Sequence, residues 1–167
     1  MDPFINNFRK NIDKRKNSVM LQTSSICHKD FKQIAEMFYD KDRKKHIPKN
    51  LDIYFTPLTL AVWIMDDGNL KSKCNYRIAS MGFTKEDNEL LQSYLLRCFD
   101  VRSKVVEYTN NKNNKKYYSI SINKENSQKV SNIIEPYVVD CMKYKLMPKP
   151  STTNMPNSND KLDDDRV

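Results

Sequence analysis

Leu60-Ala61-Val62-Trp63-Ile64-Met65-Asp66-Asp67-Gly68 is an apolar run that stops in two carboxylates and a glycine. It predicts a short helix, with Thr56 as its N-cap and Pro57 at the first helical position, where a missing N–H costs nothing. The acids fall at the end where the macrodipole is already negative. Each costs roughly 0.3–1 kcal/mol there unless something positive sits opposite. A bound divalent cation is the candidate for that positive group, and Gly68 is expected to leave the helix with φ > 0.

Downstream of Gly68 the period of the pattern changes. Residues 71–81 suit a strand or short hairpin, and residues 84–99 form an amphipathic helix, with Thr84 and Asp87 at its capped end. Residues 104–108 and 117–122 read as a hairpin around an Asn/Lys-rich loop, followed by a helix over 124–134 that stops before Pro136. From Pro57 the order is helix, strands, helix, strands, helix. That order describes one α+β unit in which helices cover one face of an antiparallel sheet.

Upstream, residues 1–17 are polar and basic, 18–24 resemble a strand, and 31–39 a helix with Phe31, Ile34, Ala35 and Phe38 on one face. Residues 40–50 make a basic linker in which Pro48 disfavours helix. The chain therefore divides into an N-terminal segment (1–50), a core (51–147) and a tail (148–167) whose Pro, Ser, Asn and Asp content predicts disorder.

Among 167 residues, 29 Lys and Arg outnumber 21 Asp and Glu, giving a net charge of +8. That balance suits a polyphosphate partner. The tail from Pro148 is net −1, so the body carries +9 and the tail is not what meets phosphate. Cys27, Cys74, Cys98 and Cys141 are scattered without a CxxC pair, and read as reduced, mostly buried thiols. No apolar run approaches the roughly 20 residues of a membrane span. The basic, apolar-dotted N-terminus has some character of an organelle transit peptide, although Asp2 and Asp13 weaken it. Only two glycines occur, and abundant Asn, Lys, Ile and Tyr fit an AT-rich coding sequence such as an organelle's. Ser/His/Asp, Cys/His and phosphate-cradling Gly-rich arrangements are lacking, which argues against hydrolases of those kinds and nucleotide-fuelled enzymes.

Residues 60–68 resemble the LAGLIDADG motif of homing endonucleases, in the subgroup written W-x-M-D-D-G. Ile47-Pro48-x-Asn50-Leu51, Thr56-Pro57-Leu58-x-Leu60-Ala61, Phe83-Thr84-x-Glu86 and Tyr144-Lys145-Leu146 are similar to blocks of these enzymes in the same order. The resemblance spans roughly His28 to Leu146 and looks like the C-terminal half of a single-chain member. It implies an αββαββα unit, a site-specific double-strand DNA endonuclease of intron-homing type, and Mg²⁺ as cofactor. In such enzymes the motif helices of two repeats pack together, each delivers its last acid to a shared metal site, and the sheets sit in the DNA major groove.

Carried onto this chain, the resemblance makes Asp67 the catalytic metal ligand and Asp66 a weaker candidate. Magnesium held by carboxylates would neutralise phosphate charge and activate water. Lys45 and Lys145 match positions that place ammonium groups beside the scissile phosphate, and Lys44 is the neighbour an alignment slip would exchange with Lys45. Counting by two gives a polar, basic row of Lys71, Lys73, Asn75 and Arg77, against an alternate row of Cys74, Tyr76 and Ile78. The first row is the candidate DNA-reading face. Lys112, Lys115 and Lys116 in the following loop are candidates for backbone contacts. Tyr117, Tyr118, Trp63 and Met65 read as packing residues.

Two departures stand out. The chain carries one motif where single-chain members carry two, so it acts as a homodimer, as part of a larger or split enzyme, or is a decayed remnant. Small Ala61 would permit close approach of a partner helix. Met81 also stands where many relatives have a glutamine. The rival function is a non-catalytic nucleic-acid-binding module such as an intron-RNA maturase. Double-stranded DNA is thus the expected partner, intron RNA the alternative, and a mitochondrion or other organelle the expected location.

Overall fold

The computed structural model describes residues 5–13, 18–71, 74–111 and 114–148. The chain opens with strands β1 (Ile5–Asp13) and β2 (Ser18–Ser25), paired antiparallel as a separate two-stranded ribbon. The composition of 5–13, rich in Asn and charge, does not read as a strand. The ladder to β2, with Lys10 opposite Leu21 and Ile12 opposite Val19, makes it one. Helix α1 (Lys29–Phe38) follows, its first turn capped by the His28 imidazole accepting from the Asp30 N–H.

A 3₁₀ turn over Leu51–Ile53 leads into α2 (Pro57–Asp67), then β3 (Gly68–Lys71), β4 (Asn75–Ile78) and α3 (Lys85–Phe99). Strands β5 (Lys104–Asn110) and β6 (Lys115–Ile122) and helix α4 (Lys124–Ile134) complete the unit, and 3₁₀ turns over Glu135–Tyr137 and Asp140–Lys145 close it. From α2 to α4 the order is αββαββα, as expected. The sheet is antiparallel throughout, in the order β3-β4-β6-β5.

Alternation decides which face is covered. Tyr76 and Ile78 on β4 lie opposite Ile122 and Ile120 on β6, and all four are fully buried under the helices. Leu60, Ala61 and Ile64 of α2, Leu91, Tyr94 and Leu95 of α3, and Val130 and Ile134 of α4 fill the space above them. Among the described residues the other face of the sheet is mostly polar, with Val106 opposite Ser119 as an exposed exception.

Helix ends are secured locally. The Thr84 hydroxyl accepts from Asp87 N–H at 3.1 Å while the Asp87 carboxylate takes the Thr84 N–H, so an aspartate completes the capping box that usually uses Glu or Gln. Asp100 ends α3 in the left-handed region, φ 51°, and its carboxylate accepts from Lys129 at 2.5 Å. The Lys129 ammonium beside it holds the Asp100 carboxyl below the usual aspartate range. The expectation of disorder in the tail concerns residues that, after Pro148, lie outside the described ones.

Candidate active site

Helix α2 is positioned by its own sequence. Thr56 accepts from Thr59 N–H at 3.2 Å, Pro57 opens the first turn, and Leu60, Ala61 and Ile64 anchor one face in the core. At the other end, Asp66 and Asp67 are exposed and β3 begins at the very next residue, Gly68. The expected positive φ is not adopted: Gly68 is extended, at φ −80° and ψ 139°. Its glycine is required for space instead. A Cβ there would lie 2.5 Å from the Ile64 carbonyl oxygen and 2.9 Å from Ile64 Cα. With no room for a loop, the Asp67 carbonyl joins the sheet directly, accepting from Ala79 N–H at 3.0 Å.

A positive group does stand at the helix end, and it is Lys145. Its ammonium donates to the carbonyl of Met65 and, at 3.3 Å, to that of Ile64. Both belong to the last turn of α2; the Ile64 carbonyl also accepts from the Gly68 N–H, and that of Met65 is one of the end carbonyls a helix leaves open. Lys145 is itself held from below, its carbonyl accepting from the Tyr76 hydroxyl at 2.6 Å, while Met147 N–H is tied to Ser131 Oγ at 2.8 Å. Burial pushes the Tyr76 phenol above its ordinary range, so it remains a neutral donor.

Lys45 reaches the same region from the linker. Asp40 folds that segment tightly, accepting from Asp42 and Lys44 N–H, with Arg43 in the left-handed region. Tyr39 and Lys45 then bridge, and His46 N–H returns to the Phe38 carbonyl. The Asp87 carboxylate accepts from Ile47 N–H at 2.9 Å, and Tyr94 donates to the Pro48 carbonyl. The capping acid of α3 therefore also moors the linker. The Lys45 ammonium lies over the Phe83 ring, 5.7 Å from its centre.

Lys45, Asp66 and Asp67 all line one groove of about 810 Å³. One wall is apolar and belongs to α1, with Phe31, Ile34 and Phe38; the other is the open stripe of α2, with Leu58 and Val62 above Asp66. Leu58 is 52% and Val62 46% exposed, whereas Ala61 is fully buried in the core. The face of α2 open to another helix is thus that of Leu58 and Val62, and Ala61 belongs to this unit's own packing. Trp63 packs on Phe55, with ring centres 6.0 Å apart. Among the described residues no three His, Cys, Asp or Glu side chains converge on a metal position.

The uncovered sheet face begins where the acids end. The β3–β4 turn puts Lys71 opposite Asn75 and Asn69 opposite Arg77, so Lys71, Asn75 and Arg77 share that face as expected, while Lys73 and Lys112 lie outside the described residues. Ser119 and Ser121 of β6 and Tyr108 of β5 continue it. Sequence reasoning passed over these three, although the alternation Ser119-Ile120-Ser121-Ile122 carries the signal. Lys115 pairs across from Asn110 on the same side. Lys116 alternates to the helix side, where it is bonded to Glu107 at 2.8 Å. That partner raises the Lys116 ammonium above its ordinary range and lowers the Glu107 carboxyl.

Tyr117 stacks on Tyr108, ring centres 5.8 Å apart, whereas Tyr118 faces the helices. Met81 is exposed in the turn after β4. The cysteines are free, but none is buried: Cys27 and Cys141 are exposed, and Cys74 and Cys98 partly so, because they sit at element ends rather than on the inner rows.

Comparison with known proteins places this arrangement. The chain is 33% identical over 131 residues to the cytochrome b mRNA maturase bI2 of Saccharomyces cerevisiae, covering 75% of this chain and 30% of the maturase. It is 34% identical over 119 residues to the intron-encoded endonuclease ai4 of Dictyostelium discoideum, covering 71% of each. The solved structure of the homing endonuclease I-WcaI bound to its DNA recognition sequence has the same fold, with a TM-score of 0.64 at 24% identity. The match covers 84% of this chain and 62% of that one, so the chain spans only part of these longer relatives. Residues 3–130 match the family model of the LAGLIDADG DNA endonucleases, which takes in the β1–β2 ribbon that lies ahead of the recognisable sequence blocks. The chain belongs to the LAGLIDADG DNA endonuclease family.

Proposed function

We propose that this chain supplies half of the active site of a site-specific, divalent-metal-dependent DNA endonuclease of intron-homing type. The observation that carries the reading is the meeting of Lys45, Asp66 and Asp67 in one groove, at the edge of a sheet whose first strand starts one residue beyond Asp67 and whose polar face starts at Asn69.

Asp67, with Asp66 beside it, would hold the cation. Two exposed carboxylates suit Mg²⁺, which binds through one or two carboxylates and keeps water and phosphate oxygens for the rest of its shell. When bound, the ion supplies charge neutralisation at phosphorus and a more acidic water. Lys45 carries its ammonium in the same groove, available for charge that develops on the phosphate oxygens. Lys145 has two of its three donors on helix carbonyls, so its first task is to fix the helix end that presents the acids.

The second set of carboxylates comes from another acidic helix seated on the Leu58–Val62 stripe, from a second copy or a further repeat. Lys71, Asn75 and Arg77 contact the duplex, and Lys115 meets its backbone. Lys116, engaged by Glu107, contributes less. Names among the relatives speak of intron-encoded proteins, and an organelle is the proposed compartment, as the AT-rich composition suggests.

The test is cleavage of a randomised duplex library with Mg²⁺ and with chelator. Wild type should cut a defined site only with metal, and Asp67→Asn should lower the rate by two or more orders of magnitude while DNA binding is retained. Equal cutting by Asp67→Asn would remove the catalytic assignment. A second reading, intron-RNA binding without cleavage, is favoured by the likeness to a maturase. It would be preferred if the chain bound structured RNA tightly and never cut DNA.

A further inference from the structure

The open sheet face contains an arginine whose orientation is already set. Arg77 is on β4, an inner strand, and its side chain runs diagonally across β6 toward β5. Its Nε donates to Ser119 Oγ at 3.2 Å, and its guanidinium lies 5.4 Å from the centre of the Tyr108 ring. Tyr108 is backed by Tyr117, with ring planes 22° apart, and the Lys115 ammonium sits 5.6 Å from the Tyr117 ring centre. Two aromatic rings are therefore held between two cations. Ser119 is 2% exposed although it belongs to the uncovered face, being shielded in part by the arginine that it orients.

Long basic side chains on a solvated sheet ordinarily sample many rotamers, and fixing one costs conformational entropy. Here that ordering is done before any ligand arrives. A guanidinium carries five N–H donors. With Nε engaged by Ser119, the four on the two Nη atoms remain, and they form the end-on fork. An end-on fork matches the paired O6 and N7 acceptors of guanine in the major groove, and no other base edge offers two acceptors there in that arrangement. A phosphate contact would need the charge but not the fixed plane.

The tyrosines argue in the same direction. A face that reads single-stranded RNA leaves its rings bare for bases to stack on. The rings of Tyr108 and Tyr117 face each other and the cations. We infer that Arg77 is the guanine-reading residue of this sheet, preset by Ser119 and Tyr108, and that the preferred duplex contains a G·C pair at the position Arg77 meets. The inference rests on the proposed DNA-binding reading and specifies its target.

The experiment is selection of full-length protein on a randomised duplex, followed by sequencing, for wild type, Arg77→Lys, Arg77→Ala and Ser119→Ala. Thermal unfolding of each variant shows that the fold is kept. Wild type should enrich guanine at one position. Arg77→Lys, which keeps the charge, should lose roughly 5- to 150-fold of discrimination at that position alone, the range for one bidentate base contact. Its dependence on salt should match that of wild type. Ser119→Ala, a positioning change, should weaken the same preference partially and move no other.

If Arg77→Lys and Arg77→Ala lower affinity evenly across all sequences, Arg77 is a backbone contact and the inference is overturned while DNA binding stands. If wild type selects no duplex at all, the proposed function falls first and takes this inference with it. Preferential selection of single-stranded RNA would have the same result.

Discussion

Lys145 donates to the Met65 carbonyl, so the ammonium of the closing 3₁₀ turn is bonded to the last turn of the helix that presents Asp66 and Asp67. Acids at a helix C-terminus call for positive charge nearby. Lys145 brings one such charge to the helix end, through the backbone carbonyls, and a metal at the carboxylates would be a second. Replacing Lys145 by Met keeps the length of the side chain and removes the charge-assisted bonds. The expected loss is about 1–3 kcal/mol, read as a fall of roughly 2–4 °C in Tm for each kcal/mol. Cleavage should fall further than stability alone explains, which rate measurements well below Tm would show.

Gly68→Ala separates space from backbone freedom. Its Cβ would press on the Ile64 carbonyl, a backbone atom that cannot swing away. Urea unfolding should show a loss of about 1–3 kcal/mol, the usual range for forced overpacking. Gly82→Ala, which meets nothing within 4 Å, should stay within about 0.5 kcal/mol of wild type.

Asp87→Ala removes the carboxylate half of the α3 capping box, the acceptor of the Thr84 N–H, together with the anchor of Ile47, while the Thr84 hydroxyl keeps the residue 87 N–H. Loss of a hydrogen bond of this kind is worth about 1 kcal/mol. Because Lys45 lies two residues from the lost anchor, cleavage should also drop, and hydrogen exchange over residues 40–47 should quicken. Unchanged exchange there would separate the linker from the cap.

Asp100 titrates in the folded protein below the ordinary aspartate range because of Lys129. Its contribution is therefore present above the unfolded value near 3.9 and disappears as pH falls through the lower folded one. The difference in Tm between wild type and Asp100→Asn should be visible at neutral pH and close to zero in strong acid. Asparagine tolerates the left-handed backbone at this position, so the comparison isolates the charge.

Val62→Glu tests the open stripe of α2. Val62 is 46% exposed, so the unit itself should unfold within about 0.5 kcal/mol of wild type. If another acidic helix seats there, light scattering should show a loss of association and cleavage should cease. Association that survives the charge would locate the second half elsewhere.

Much of this was legible in the residues. The capped start of α2, the order helix, strands, helix, strands, helix and the polar row of Lys71, Asn75 and Arg77 follow from periodicity and cap chemistry, both local properties, and the family resemblance supplied the full αββαββα order. What escaped depends on contacts between distant segments. The β1 strand exists through its ladder to β2. Gly68 is explained by the closeness of Ile64, not by its own dihedrals. Ala61 looked like a contact for a partner helix, and only the packing of α2 shows that it faces inward. The pairing of Lys116 with Glu107 and the cradle of Tyr108 and Ser119 around Arg77 join residues from 9 to 42 positions apart, a distance at which single-chain patterns carry no orientation.

Helix α2 passes into β3 without an intervening residue, and the Asp67 carbonyl is bonded within the sheet. On the proposed function, in which the sheet reads and that helix cuts, this makes a ruler with no hinge. Successive phosphates on a strand advance by about 3.4 Å along the duplex axis. A one-base slip in the reading register would therefore carry the scissile bond out of reach of the acids instead of being absorbed by a flexible joint. Fidelity of the cut would come from stiffness at a single peptide bond, and residues inserted between Asp67 and Gly68 should spread the cleavage position before they abolish binding.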